Sequence, residues 1–363
     1  MTRPGTPPPV DYDAFTAPFV HVSEDEARAV VRDRYGLHPT KLVRLTTERD
    51  DTFRVWSATG QVLLKVAHTA DDPVRIEAQS CVLAHLDGAA GPIAVPRMRR
   101  PLDSESVHVE TPDGARIVRV LDFIEGPLLH GHPMTPAGMR RLGSAHAHLS
   151  RRMAEISPLV EARFADAVFD HPWSIAEPGD LGAFVDAVTD SATRKLVRTA
   201  LDTVLAATTP GLGRLEPAIM HNDFQGRNVI LDPNDAGQVL GVIDFGDLAR
   251  LPRVADLAVA SSYADRYAAD GTPAERGAWA NVLDFVRGHT EVQPLTAAEQ
   301  ALLPPLVLAR VVQRIAVASL LAATSPERAA IQRPGIEEST RLLERLLPTT
   351  HAAADNLAEG GTR

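Results

Sequence analysis

The chain changes its hydrophobic period once, at Gly126-Pro127, and that change constrains the fold more than any other feature. Upstream, short β-rich runs dominate: Lys41–Thr46, Thr52–Ala58 and Gln61–Val66, the last two separated by the tight turn Thr59-Gly60. Val107–Val109 and Ala115–Ile124 flank Thr111-Pro112-Asp113-Gly114, a second hairpin. Ser23-Glu24-Asp25-Glu26 has capping-box spacing and opens a helix that runs to Tyr35. A second helix is predicted over Asp72–Leu86, where Ile76, Val82, Leu83 and Leu86 recur at helical spacing. Residues 21–125 therefore read as a small α+β lobe built on an antiparallel sheet. Downstream, helical patterns fill Thr135–Glu155, Asp180–Asp190, Ala192–Ala207 and several stretches between Arg253 and Leu347. Only Ala218–Asp232 and Val239–Phe245 interrupt them as β-rich pieces, so residues 126–347 read as a larger, mainly helical lobe. Residues 1–20 hold five of the 28 prolines and read as a flexible lead-in, and residues 348–363 as a polar tail.

Composition narrows the function classes. A length of 363 residues suits two domains or one bilobal unit. The net charge of −10 argues against a protein that grips nucleic acid or an anionic membrane, and suits a cationic substrate. The single cysteine, Cys81, allows no internal disulfide, so a reducing, cytoplasmic setting is expected. The Pro-rich start has no apolar core of the kind a signal peptide needs. The most apolar stretch, Leu302–Ala323, carries Arg310 and Arg314, so no membrane span is predicted. Those arginines lie four apart and could bind a substrate carboxylate or pair with acidic neighbours. Monomer and homodimer are both compatible with the sequence.

The chemistry concentrates in Met220-His221-Asn222-Asp223-Phe224-Gln225-Gly226-Arg227-Asn228 and in Val242-Ile243-Asp244-Phe245-Gly246-Asp247. Phosphoryl transfer needs an acceptor hydroxyl aimed in line and relieved of its proton, which suits a carboxylate such as Asp223. It also needs Mg²⁺ held across the phosphates by oxygen ligands, which suits the carboxamide of Asn228 and the carboxylate of Asp244. Asp247 could assist the acceptor or a second metal. An Asx-rich loop that merely caps backbone amides is the plainer alternative for Asp223 and Asn228. His130-x-His132 and His146-x-His148 have no cysteines or paired carboxylates at ligand spacing, so no metal site is predicted there. Asp256 is expected to order the catalytic loop from behind.

His-x-Asp-x-x-x-x-Asn followed by Ile-Asp-Phe-Gly-Asp resembles the aminoglycoside phosphotransferase and choline kinase superfamily, and most of all its hydroxylysine kinase and homoserine kinase branch. Asp256-Leu257-Ala258 continues the likeness, which covers roughly residues 21–345. The resemblance implies a protein-kinase-like bilobal α+β fold. It implies ATP and Mg²⁺ as cofactors and a small hydroxyl acceptor, expected to carry an amine. In such a site Lys65, on the strand Val62–Val66, would contact the ATP phosphates with Glu77 holding it. Only three of the 37 basic residues are lysine, which makes Lys65 conspicuous. Backbone groups at Phe123, Ile124 and Glu125 would meet adenine. The chain departs from protein kinases in lacking a G-x-G-x-x-G loop; the connection is Thr46–Asp51, where Thr47 and Thr52 stand in for the usual Gly and Asn. The rival readings are an antibiotic-modifying phosphotransferase, a non-catalytic nucleotide-binding relative and a protein kinase.

Overall fold

The computed structural model describes residues 20–47, 50–88, 91–103, 106–164, 169, 173–269 and 276–360. The Pro-rich lead-in 1–19, Glu48 and Arg49 of the connection, and 361–363 lie outside the described residues. The chain divides into two compact units. One comprises Met1–Ala90, Ala94–Glu125 and Leu159–Pro172; the other comprises Gly91–Ile93, Gly126–Pro158 and Trp173–Arg363.

The first unit is an antiparallel sheet and two helices. Helix α1 (Glu24–Tyr35) starts at a complete capping box between Ser23 and Glu26 and stops at Gly36, whose φ of 65° supplies the left-handed cap. Strands β1 (Pro39–Leu45), β2 (Asp51–Ser57), β3 (Gly60–Val66), β4 (Val107–Thr111) and β5 (Gly114–Asp122) form one sheet in the order β1-β2-β3-β5-β4. Alternation decides the faces. Phe53, Val55, Val62, Leu64, Val66, Val118 and Val120 point to one side and enclose, with Ala27, Val31 and Tyr35 of α1, a single apolar core. The intervening residues, Thr52, Leu63, Lys65, Arg119 and Leu121, take the opposite face. Lys65 lies opposite Thr52 on β2 and Arg119 on β5. Helix α2 (Pro73–Gly88) addresses that second face: Gln79 accepts a hydrogen bond of 2.8 Å from Arg119.

The second unit is mainly helical, with α3 (Pro136–Arg163) up to Pro158, α4 (Ser191–Thr208), α5 (Arg253–Ser261), α6 (Ala280–Val292), α7 (Ala297–Ala322), α8 (Pro326–Leu346) and α9 (Thr350–Gly360). Where Asp180–Asp190 is expected as an ordinary helix, the structure has a run of 3₁₀ turns at Pro178–Ala187. The polar tail is helical as α9, with Ala353 buried. Helix α7 is the axis of the unit. Thr296 and Glu299 form its capping box, and Arg253 at the head of α5 holds Glu299 with two bonds of 2.6 and 2.7 Å. By length and composition α7 could cross a bilayer, but its apolar window is mostly buried within the protein. Four short strands make two ribbons: β6 (Pro217–Met220) pairs with β9 (Ala249–Pro252), and β7 (Val229–Asp232) with β8 (Asp235–Val242).

Helices α3 and α6 cross at two glycines. A Cβ on Gly143 would stand 1.8 Å from the carbonyl oxygen of Phe285, and one on Gly288 would stand 1.8 Å from that of Arg140. Only hydrogen at both positions lets the two backbones approach so closely.

Candidate active site

The two ribbons place the motif. Met220 ends β6 and Val229 opens β7, so His221–Asn228 form the loop between ribbons, and Asp244 follows β8. The Ile243 N–H donates to the carbonyl of Asn228 at 2.9 Å, which brings the end of the loop beside the strand that delivers Asp244. His221 adds a second tie. Its Nε2 donates to the Ile243 carbonyl at 3.2 Å, while its Nδ1 accepts the Asp223 N–H at 3.2 Å. Those two bonds require the neutral Nε2–H tautomer. Burial likewise holds His221 below its ordinary value, although Asp256 and Asp244 oppose it.

Asn222 and Asp244 have φ of 61° and 62°, the only positive values outside glycine among the described residues. Such backbone costs about 1–3 kcal/mol per residue and persists only where the surroundings over-determine it. At Asn222 they do. Its N–H donates to Asp256 Oδ1 at 2.8 Å, and its side-chain amide donates to the Trp173 carbonyl at 3.2 Å. Asp256 thus orders the loop from behind, as its position at the start of α5 suggested.

The turn at Asn222 presents Asp223. Asn228 Nδ2 donates to the Asp223 carboxylate at 2.5 Å and to its carbonyl at 3.0 Å. The carboxamide oxygen of Asn228 is left as the acceptor end. Arg310 Nη2 stands 3.7 Å from Asp223 Oδ1. Burial pushes the Asp223 carboxyl well above the usual carboxylate range. Asp247 and Asp244 push the same way, and Arg310 only partly offsets them.

Behind the loop lies a buried chain of three side chains. His146 Nε2 donates to Asp256 Oδ2 at 3.0 Å, and its Nδ1 meets His289 Nδ1 at 3.1 Å. Burial alone would raise Asp256, but the bonds from His146 and from Asn222 outweigh it and keep the carboxylate ionised. With His146 Nε2 donating, the proton shared by the two Nδ1 atoms belongs to His289, whose Nε2 is then left without a partner. Burial depresses His289 well below the ordinary imidazole value, and His146 and Arg253 add to the effect. The folded state therefore binds fewer protons than the unfolded chain below pH ~6.5, where free imidazole titrates. Stability is expected to be full above that pH and to fall as pH drops through it, by up to about 1.4 kcal/mol per unit from this residue. Urea unfolding at pH 8, 6.5 and 5.5 measures the slope, and His289→Asn should flatten it.

The first unit holds the remaining predicted residues. Lys65 is mostly buried, and its Nζ pairs with Asp50 Oδ2 at 3.0 Å. Glu77 is exposed on α2, about 200° around the helix from Gln79, the residue that addresses the sheet. Thr47 is on the connection, where its hydroxyl donates to the Asp50 carbonyl. Thr52 lies at the start of β2, as expected, with its hydroxyl buried and without a hydrogen-bond partner. At Phe123 the backbone N–H is spent on the Gln61 carbonyl at 3.1 Å, and the ring lies 3.8 Å from the Arg54 guanidinium. Among the described residues the N–H groups of Ile124 and Glu125 have no partner, so the open donors lie there. The Glu125 carboxylate accepts from Gln61.

Several residues around Asp223 take on their roles only in three dimensions. His146 and His289 come from two helices joined by the glycine crossing. Trp173 and Tyr263 lie far from the motif in sequence, and Tyr267 accepts the Gly226 N–H at 2.5 Å through its hydroxyl. The sequence offers Arg310 as a carboxylate binder or a partner of acidic neighbours, and the structure sets it 3.7 Å from Asp223.

Against known proteins, residues 42–295 match the family model described as "Phosphotransferase enzyme family". A hydroxylysine kinase of Mus musculus is 24% identical over 324 residues, covering 84% of each chain. A hydroxylysine kinase of Danio rerio is 24% identical over 341 residues, covering 89% of this chain and 92% of that one. Among solved structures, a microcompartment-associated aminopropanol kinase superposes with a TM-score of 0.69 at 20% identity, over 90% of this chain and 98% of its own. A spectinomycin phosphotransferase in complex with ADP and spectinomycin gives 0.62 at 14% identity, over 90% and 98%. These likenesses support the kinase-like α+β fold. The family match includes the strand that carries Lys65, the loop that carries Asp223 and Asn228, and Asp244 after β8, and the chain belongs to the phosphotransferase enzyme family.

Proposed function

We propose that this protein is an ATP-dependent small-molecule kinase that phosphorylates the hydroxyl of an amino alcohol or hydroxy amino acid. The observation that carries the reading is the Asp223–Asn228 pair at 2.5 Å, on a loop tied through His221 and Ile243 to the strand that delivers Asp244. Asp223 would orient the acceptor hydroxyl and take its proton as the oxygen bonds to the γ-phosphorus and ADP leaves. The donor set fits a hard divalent cation. Among the described residues no three His, Cys, Asp or Glu side chains are grouped for a metal on their own, so the Asn228 oxygen is needed beside Asp244. Asp247 and Asp244, which add to the burial that raises Asp223, supply further carboxylates near such a cation. Mg²⁺, when bound there, would supply charge neutralisation at the phosphates. Lys65 would give the nucleotide phosphates a compact positive charge, and the free N–H groups at Ile124 and Glu125 would serve the adenine edge. The named activities of the two hydroxylysine kinases and the aminopropanol kinase support an amine-bearing acceptor. A single cysteine supports a reducing, cytoplasmic setting.

The direct test is ADP release over amino alcohols, hydroxy amino acids, sugars and aminoglycosides. Turnover confined to aminoglycosides would favour antibiotic modification, and nucleotide binding without turnover would favour a non-catalytic relative. Asp244→Ala is expected to lower kcat by at least about a thousandfold, the rate equivalent of roughly 4 kcal/mol of lost charge stabilisation. Asn228→Ala should raise the Mg²⁺ concentration needed for half-maximal rate. Steady-state rates titrated with Mg²⁺ decide it: wild-type curves for both variants would move the metal site elsewhere.

A further inference from the structure

Helix α7 is apolar through its middle on every side but one. The exceptions, Arg310, Gln313 and Arg314, fall at i, i+3 and i+4 and so share a stripe. Arg310 is 2% exposed and Arg314 7%. A buried guanidinium costs several kcal/mol unless well-placed anions answer it, and here two are buried one turn apart.

Arg310 is answered by a carboxylate only at ion-pair distance, and Arg314 hardly at all. Arg310 donates to the Trp173 carbonyl at 2.7 Å, to Gln313 Oε1 at 2.8 Å and to the Tyr263 hydroxyl at 3.3 Å, all neutral acceptors. Its carboxylate neighbour, Asp223, is 3.7 Å away, too far for a hydrogen bond, and its Nε has no partner. Arg314 is served less well. Its Nη1 reaches the Ser262 carbonyl at 3.4 Å, and its Nη2 has no hydrogen-bond partner. Glu338 is 3.9 Å from that nitrogen and is already engaged by Arg266 at 2.6 Å. Burial lowers Arg314 to about 10, and Arg266 and Arg310 beside it deepen the fall. Both guanidiniums stand over the Tyr263 ring, 5.9 and 4.7 Å from its centroid. The stripe thus holds one buried cation, Arg314, with no anion in hydrogen-bond reach, one turn from a second, Arg310, that faces the proposed base at 3.7 Å.

The acceptor can bring that anion. A free hydroxy amino acid carries a carboxylate that a guanidinium grips through two parallel bonds, and an amino alcohol carries none. The transferred phosphoryl group is the other oxyanion that comes to Asp223. It must pass in line with the hydroxyl at Asp223, whereas Arg314 contacts Ser262, Tyr263 and Glu338 and not the base. We propose that Arg310 and Arg314 form the carboxylate subsite of the acceptor, so that the substrates are hydroxy amino acids in preference to amino alcohols. The inference rests on the kinase reading and narrows its substrate class.

The test uses acceptors matched in all but the carboxylate: hydroxylysine, homoserine and threonine, each against its decarboxylated amine, by calorimetry and by turnover. Wild-type kcat/KM should favour the acid by about thirtyfold, the range that hydrogen bonds to a charged group supply. Arg314→Gln should shrink that ratio below about threefold, Arg314→Lys should keep about tenfold, and the acceptor KM should move far more than the ATP KM. A wild-type enzyme that takes the amines as readily as the acids overturns the subsite and leaves the kinase reading standing. One that binds acids over amines but turns over neither overturns the kinase reading and supports the subsite. Equal loss on both members of each pair in Arg314→Gln, or an equal rise in ATP KM, overturns the proposal, as does a wild-type protein that neither binds nor phosphorylates any of the acids. The wild-type comparison needs no variant to fold.

Discussion

Asp223→Asn is expected to lower kcat by about 10²–10⁴, the usual worth of a positioned general base, while nucleotide affinity changes little. Asparagine keeps the size of the side chain and an oxygen that can accept from Asn228, so the loop has no reason to move. What it removes is the proton acceptor. Stability should hold or rise, because Asp223 sits partly buried against Asp247 and Asp244 and its charge is a local liability. Rates and thermal midpoints measured together separate the two effects. A variant that keeps wild-type kcat sinks the assignment of the base; one that loses kcat and also unfolds early shows a structural role instead.

What the sequence made legible was local. The capping box at Ser23–Glu26, the turn Thr59-Gly60 and the hairpin at Asp113-Gly114 each depend on a few adjacent residues, and each is present. The order of Asp223, Asn228 and Asp244 was readable because they occupy one loop and one strand end. Glu77 shows the limit. Spacing along the chain suggested Glu77 as a partner for Lys65, but no local pattern announced Asp50, beside the start of β2, which pairs with it at 3.0 Å. Strand β9 was missed because Ala249–Pro252 is short and is a strand only by pairing with β6. The polar tail was readable as polar but not as helical, since α9 depends on packing against α7 that no local pattern announces. Arg310 and the His146–His289 contact depend on how helices cross, and only the glycines at the crossing encode that in sequence.

Those glycines support the second large expectation. On helix propensity alone, Gly288→Ala should stabilise α6 by up to about 1 kcal/mol. Packing reverses the sign. The new methyl would stand 1.8 Å from the Arg140 carbonyl oxygen, a backbone atom that no rotamer can move away. Separating the helices is expected to cost about 3 kcal/mol or more, the upper range for overpacking. Gly335 on α8 is the control: nothing lies within 4 Å of its would-be Cβ, so Gly335→Ala should be neutral or mildly stabilising. The functional consequence follows from the same contact. The crossing carries His146 to His289; His146 holds Asp256; and Asp256 holds the N–H of Asn222, whose left-handed backbone presents Asp223. In Gly288→Ala that chain loosens at its far end, so kcat should fall at temperatures where the protein is still folded. Denaturant unfolding of both variants, with activity assayed well below the transition, measures the two effects separately. If Gly288→Ala proved as stable as Gly335→Ala, the close crossing of α3 and α6 would be wrong, and with it the argument that two buried glycines help to set the catalytic loop.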